Sequence, residues 1–354
     1  MQSDEQKLNI AVVFGGASSE HEVSLMSATS VLKNIDCQKY NIYKIGITKQ
    51  GQMFYYTGAI EEIEKNNWQG KDCTPCVISP DRSHHGILLL GEKIEVIRMD
   101  SIFAVLHGKN GEDGTIQGLF ALAGIPFVGC DTLSSACCMD KGVTKALLDN
   151  AKIKNSKWLS VLLFDYNKDS NQYLNQIEIE LGYPCFVKPA NAGSSVGISK
   201  ATDMVSLRKA MELAFQHDKK VIVEESIKGL EIECAVLGNE EPIASILGEI
   251  EPCNEFYDYD AKYLANKTKT YAPARISEAL TEEIRTTAVN AYKVLGCAGF
   301  SRVDFFLCEN GEVILNEINT IPGFTAISMY PQLFAKSGVP YTKLIDRLIA
   351  LSLQ

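Results

Sequence analysis

The stretch Phe300–Thr320, FSRVDFFLCENGEVILNEINT, places two apolar, β-rich runs on either side of Asn310-Gly311. Asn-Gly between such runs predicts a hairpin, because a two-residue type I′ turn needs φ > 0 at both central positions. That turn sets a register: Glu309 opposite Glu312, Phe306 opposite Leu315, Asp304 opposite Glu317, and Arg302 opposite Asn319. Side chains two apart share a face, so Arg302, Asp304, Glu317 and Asn319 are expected to cluster. Directly opposed like charges destabilise a sheet. At roughly 5 Å and an effective dielectric near 20, the repulsion is about 3 kcal/mol. Two devices can offset it: Arg302 bridging both acids, or a divalent cation. Two carboxylates and an amide oxygen form a hard, oxygen-only set suited to Mg²⁺, which usually also takes substrate phosphates.

The 354 residues are 46% hydrophobic and 22% charged, an ordinary globular composition for two or three domains. Net charge is −10 with no long basic run, which argues against nucleic acid or an anionic membrane as partner. The N-terminus, MQSDEQKLNIAVVFGG, carries acids before a short apolar strand and does not read as a signal peptide. No apolar run is long enough to span a bilayer. The 11 cysteines are an odd count in scattered apolar contexts, as reduced thiols in a cytoplasmic protein would be. Cys73-x-x-Cys76 and Cys137-Cys138 are the redox or metal candidates, but neither has a second CxxC or a nearby histidine.

Outward from the hairpin, the chain reads as α/β. LNIAVVFGG, YNIYKIGIT and SIFAVLHG predict buried strands with helices between and after them. A second region, from near Met139, runs helix KGVTKALLDNA, strand CFVKPA, helix MVSLRKAMELAFQH, strand KVIVEE. A third begins near Gly229 with EIECAVLGN, includes the hairpin, and closes with the amphipathic helix YTKLIDRLIALSL. The expected domains are 1–138, 139–228 and 229–354.

Several loops carry chemistry. In FGGASSEHEVS, Ser19 with Glu22 predicts a capping box and a helix start, leaving Glu20 at the carboxyl end of a strand, where open α/β folds bind ligands. Glu20 there either complements the helix dipole or holds a substrate ammonium. The glycines do not form GxGxxG, against a dinucleotide site. In VLHGKNGEDGTIQG, His107 ends a strand before a glycine loop, and the next helix is expected from Thr115 to Gly124. Glu112 and Asp113 read as solvated acids. In FVKPANAGSSVGISK, the turn around Ser194 and Ser195 is either a flexible surface turn or a phosphate-covering loop. Lys141 and Lys188 can meet phosphates as point charges. Glu224 and Glu231 lie at or just beyond a strand end, and FYDYDAKY is either surface packing or a lid that excludes water.

Taken together and in order, FGGASSEHEVSLMSA, LHGKNGEDGTIQG, MDK, VKPANAGSSVGISK, VEESIKGLEIE, FYDYDAKY, GFSRVDFF and NEINTIPGFTAISMYP resemble the D-alanine–D-alanine ligase family of the ATP-grasp superfamily. The resemblance spans almost the whole chain and extends to the D-alanine–D-serine ligases of vancomycin resistance. It implies a Rossmann-like N-terminal domain followed by a two-part ATP-grasp fold. Lys141, Lys188 and Ser195 then match ATP-phosphate contacts, Glu224 the adenine side and Glu231 the ribose. Asp304, Glu317 and Asn319 match ligands of two Mg²⁺ (or Mn²⁺). Arg302 and the Gly323 N–H match the oxyanion donors. Glu20 and His107 match the first-substrate pocket, while Lys262, Tyr263, Ser328 and Met329 lie near the second substrate and its closing loop. Glu20, Ser194 and Tyr263 match a network that orients the attacking amine.

The activity so implied joins two D-alanines through an acyl phosphate for peptidoglycan precursors, in a homodimer. D-serine as second substrate is the alternative. Met329 favours D-alanine, because D-serine-specific relatives tend to carry a polar or basic residue there. The intact Lys262-Tyr263 disfavours D-lactate. More distant alternatives are another ATP-grasp carboxylate–amine ligase, a nucleotide-binding regulator without turnover, and an NAD oxidoreductase.

Overall fold

The computed structural model describes residues 7–193, 196–251, 269–325 and 327–354. Its strands fall into three sheets. The first contains β1 (Leu8–Gly15), β2 (Tyr40–Ile47), β3 (Met53–Tyr56), β4 (Cys73–Ile78), β5 (Gly86–Leu90), β6 (Ile94–Arg98) and β7 (Ser101–Ala104), in the order β6-β5-β4-β3-β2-β1-β7. β1 pairs in parallel with β2 and β7, and β2 through β6 form an antiparallel meander. The three expected strands are the parallel centre of this sheet. Cys73 and Cys76 sit three apart on β4, on opposite faces, so they cannot chelate one ion. Burial pushes the Cys76 thiol up to about 12, far from a reactive thiolate.

β1 is apolar throughout because both of its faces are covered, as parallel strands require. Ile10, Val12 and Phe14 share one core with Leu25, Ala28 and Val31 of the helix His21–Asn34 and with Leu344, Ile345 and Leu348 of the last helix, Tyr341–Ser352. Ala11 and Val13 face a second core, which holds Phe120 of the helix Thr115–Ala123. That helix ends at Gly124, with φ 68°, at the expected residue.

The second sheet is antiparallel, in the order β10-β9-β11-β8, with β8 (Trp158–Leu162), β9 (Cys185–Pro189), β10 (Ser199–Ala201) and β11 (Lys220–Glu225). Val187, Val221 and Val223 pack against Leu174 and Ile177 of one helix and Leu207 and Met211 of another. The alternate residues Lys188 and Glu224 therefore point to the opposite face.

The third sheet runs β14-β13-β12-β15-β16, with β12 (Gly229–Leu237), β13 (Ile243–Glu251), β14 (Lys269–Tyr271), β15 (Phe300–Cys308) and β16 (Val313–Asn319). Val303, Phe305 and Leu307 pack with Ile284, Ala288 and Tyr292 of the helix Glu278–Val294, which Ser277 caps. The hairpin differs from expectation in one respect. The Cys308 N–H donates to Glu312 O at 2.9 Å and the Gly311 N–H to Cys308 O at 2.9 Å, so the loop is the three residues 309–311, with only Gly311 at positive φ (84°). Phe306 accordingly faces Ile314, not Leu315. A bulge at Asn316 then restores the register, and Asp304 faces Glu317 and Arg302 faces Asn319 as expected. The bulge also keeps Val313, Leu315 and Ile318 together in the core.

Candidate active site

A cleft of ≈ 950 Å³ is lined by all three sheets or the loops that leave them. Its size is at the upper end for small-molecule sites, roughly 300–1,000 Å³. The sequence-predicted residues Glu20, His107, Lys141, Lys188, Glu224, Arg302, Glu317, Asn319, Gly323, Ser328 and Met329 all line it. Asp304 is off the cleft lining and is held by Arg302. Glu231 lies on β12, partly buried, away from the cleft lining. Ser194, Ser195, Lys262, Tyr263 and the stretch FYDYDAKY lie outside the described residues.

One wall is cationic. Asp140 caps the helix Lys141–Asn150 by accepting from the Val143 N–H at 3.0 Å. Lys141 donates to Ala192 O at 2.7 Å, tying that helix to the loop after β9. Lys145, one turn further along the same helix face, was missed in the sequence, although an i, i+4 lysine pair is a legible signal. Its ammonium is buried and donates to Ser156 Oγ at 2.8 Å, with Glu224 at 3.6 Å. Lys188 reaches the same Glu224 oxygen at 3.1 Å. Burial would raise the Glu224 pKa, but Lys188 and Lys145 outweigh it and hold the carboxyl down at about 2. Burial in turn lowers Lys145, against the pull of Glu224.

A second wall is acidic. Glu233 on β12, Asp304 on β15 and Glu317 on β16 stand in one row across three adjacent strands. Glu233 was also missed, although it lies two residues from Glu231 and so shares its face. Arg302 forks onto Asp304, with Nε to Oδ1 at 2.7 Å and Nη2 to Oδ2 at 2.6 Å, and its Nε is 3.3 Å from Glu233 Oε2. Asn319 Nδ2 donates to Asp304 Oδ2 at 2.9 Å. Burial disfavours charge on Arg302, but Asp304 and Glu233 reverse the balance and hold the guanidinium firmly protonated. Among the described residues no three His, Cys, Asp or Glu stand together as a metal cluster. Asp304, Glu317 and Asn319 carry hard oxygens of the kind Mg²⁺ takes, and among the described residues the Arg302 guanidinium lies against Asp304.

The third wall comes from the first sheet. The expected capping box does not form: the Ser18 hydroxyl accepts the Glu20 N–H at 3.0 Å, Glu20 occupies the N-cap position without a side-chain cap, and Glu22 pairs with Lys49. Glu20 is buried, and a Cβ on Gly108 or Gly193 would lie 2.3 or 2.7 Å from its Oε2. Two glycine loops are therefore shaped around this one carboxylate. Glu112 is half-buried on the cleft lining and not fully solvated: its Oε2 accepts the Gly108 N–H at 2.7 Å, and desolvation with neighbouring Glu20 pushes it up to about 8. His107 is buried; its Nδ1 must donate to Ile321 O (3.1 Å), so neutral Nε2 accepts from Ser27 Oγ (3.1 Å). Burial lowers its pKa and favours that neutral form.

The last wall is built from residues 321–325 and 327–328. Ser328 Oγ accepts the Thr325 N–H at 3.0 Å, and a Cβ on Gly323 would be 3.0 Å from that oxygen. Met329 opens the helix Met329–Lys336 and is mostly buried, its terminal methyl lying over Gly248.

Family models described as D-ala D-ala ligase N-terminus and C-terminus match residues 9–130 and 147–350. The chain belongs to the D-alanine–D-alanine ligase family. It is an enzyme, a ligase, with the mixed α/β fold of that family's structures. It is 49% identical to the D-alanine–D-alanine ligase of Ruminiclostridium cellulolyticum, over 98% of this chain and 96% of that one. A crystal structure of the VanG D-Ala:D-Ser ligase from Enterococcus faecalis superposes with TM-score 0.90 at 48% identity, over 98% and 100% of the two chains. The D-alanine–D-alanine ligase structure from Coxiella burnetii follows with TM-score 0.85 at 34% identity, over 98% and 95%. Among the described residues no helix is long and apolar enough to cross a membrane.

Proposed function

We propose that this ligase joins two D-alanines into D-alanyl-D-alanine at the expense of ATP, through an acyl phosphate, for peptidoglycan precursor synthesis. The observation that carries this reading is that one cleft is lined by three lysines, by Glu233, Glu317 and Arg302 of the third sheet, and by buried Glu20. Lys141, Lys145 and Lys188 would take the ATP phosphates. Phosphoryl transfer needs charge neutralisation and positioning more than covalent help. Bound Mg²⁺, held by Asp304, Glu317 and Asn319, would supply the rest of that neutralisation.

Glu20 would hold the first ammonium and so aim its carboxylate at the γ-phosphorus. The carboxylate oxygen attacks phosphorus and ADP leaves. The neutral amine of the second amino acid then attacks the acyl carbon and gives up one N–H proton to solvent, and phosphate leaves with the original carboxylate oxygen. Arg302 and the Gly323 N–H would meet the developing oxyanion; removing such a donor lowers turnover by ~10²–10³. Ser194, Ser195, Lys262 and Tyr263 keep the loop roles the resemblance implies.

D-serine as acceptor is the second reading, favoured by the likeness to the VanG structure. Met329 supports D-alanine, since its thioether offers no hydrogen-bond donor or charge to a substrate hydroxyl. Phosphate release from ATP and Mg²⁺ separates the readings when D-alanine, D-serine, D-lactate and L-alanine are supplied singly and in pairs. The expected result is release that depends on D-alanine. Release indifferent to D-amino acids contradicts the proposal, and release only with the D-alanine and D-serine pair selects the second reading.

A further inference from the structure

We propose that Glu233 is a positioning residue, which takes over the Arg302 guanidinium when a divalent cation claims Asp304. The inference rests on the metal reading given above. In the structure both Asp304 oxygens are engaged by the Arg302 fork, at 2.7 and 2.6 Å. A cation that takes Asp304 must displace at least part of that fork. The released guanidinium side chain is only 17% exposed. Leaving a buried charge without a counter-charge is strongly destabilising, so it must find another partner nearby.

Glu233 is placed for that. It stands directly across the ladder from Asp304, and its Oε2 already lies 3.3 Å from Arg302 Nε. Its side chain is 8% exposed, so the second pair would be as dry as the first. Moving the guanidinium sideways by one strand keeps it charged and paired. It also releases Asp304 Oδ1 from the fork and leaves Oδ2 to the Asn319 amide, and it holds Arg302 on the cleft lining.

The test measures Mn²⁺ binding in the presence of ADP, by the electron paramagnetic resonance signal of free Mn²⁺. Four proteins are compared: wild type, Glu233→Gln, Arg302→Gln and the double variant. Loss of the Glu233 charge weakens Mn²⁺ binding through space in either background. The expected weakening is about tenfold larger with Arg302 present than with Arg302→Gln, the worth of one charge-assisted hydrogen bond. Equal weakening in both backgrounds, or none in either, overturns the proposal. Wild-type protein that binds no Mn²⁺ overturns the metal reading itself, a distinct failure. Should Glu233→Gln fail to fold, a wild-type crystal with ADP and Mg²⁺ decides: Arg302 moved onto Glu233 supports the proposal, and Arg302 still forked on Asp304 overturns it.

Discussion

Glu224 shows how one buried acid organises a cationic wall. Its carboxylate receives Ser156 Oγ at 3.2 Å and Lys188 at 3.1 Å, with Lys145 at 3.6 Å. Because its pKa in the folded protein is depressed from 4.5 to about 2, its contribution to stability is present above pH 4.5 and is lost as pH falls through about 2. Glu224→Gln should flatten that acid-side loss. It should also lower stability at pH 7 by about 3–5 kcal/mol, because two lysines are left with less compensation. Urea midpoints measured from pH 2 to 7 check both parts; a variant as stable as wild type at pH 7 would show that the lysines find other partners. At this scale the sequence is a partial guide. Lys141, Lys188 and Glu224 were identifiable by position, but nothing local to Glu112 signals its partial burial beside Glu20.

At the scale of the element, the hairpin Phe300–Asn319 was legible where alternation governs it and illegible where the turn does. Two departures cancel. The loop is one residue longer than a type I′ turn would make it, and the bulge at Asn316 takes up the difference. A one-residue slip moves a whole side-chain set to the other face, so the burial of Leu315 and Ile318 enforces the compensation. Deleting Asn316 would leave Leu315 and Glu317 as regular neighbours with the register intact on both sides. Deleting Ile314 would instead drive core side chains of β16 toward the polar face. The first deletion is expected to fold, with a circular dichroism melt near that of wild type, and the second to melt far lower or fail to fold. Equal damage from both would mean that the bulge, not the alternation, holds the strand.

Over the whole molecule, the site exists only because distant segments converge. The loop after β1 delivers Glu20, the loop after β7 delivers His107, the second sheet brings Lys188 and Glu224, and the third brings Arg302, Asp304 and Glu317. The last helix returns to pack on β1, through Leu344, Ile345 and Leu348, and Lys39 pairs with Asp346 across that junction at 2.5 Å. Periodicity revealed the helix and its apolar stripe but not its partner, since docking depends on tertiary packing that no single segment encodes. The same limit hid the meander β3–β6, of which β3 and β6 alternate only weakly in burial. The most direct test of the central claim, that this cleft activates a carboxylate with ATP, follows an oxygen atom. D-alanine labelled with ¹⁸O in its carboxylate is turned over with ATP and Mg²⁺, and the phosphate is analysed by mass spectrometry. The account predicts one ¹⁸O in the phosphate for each dipeptide formed; phosphate without label, alongside dipeptide product, would contradict it.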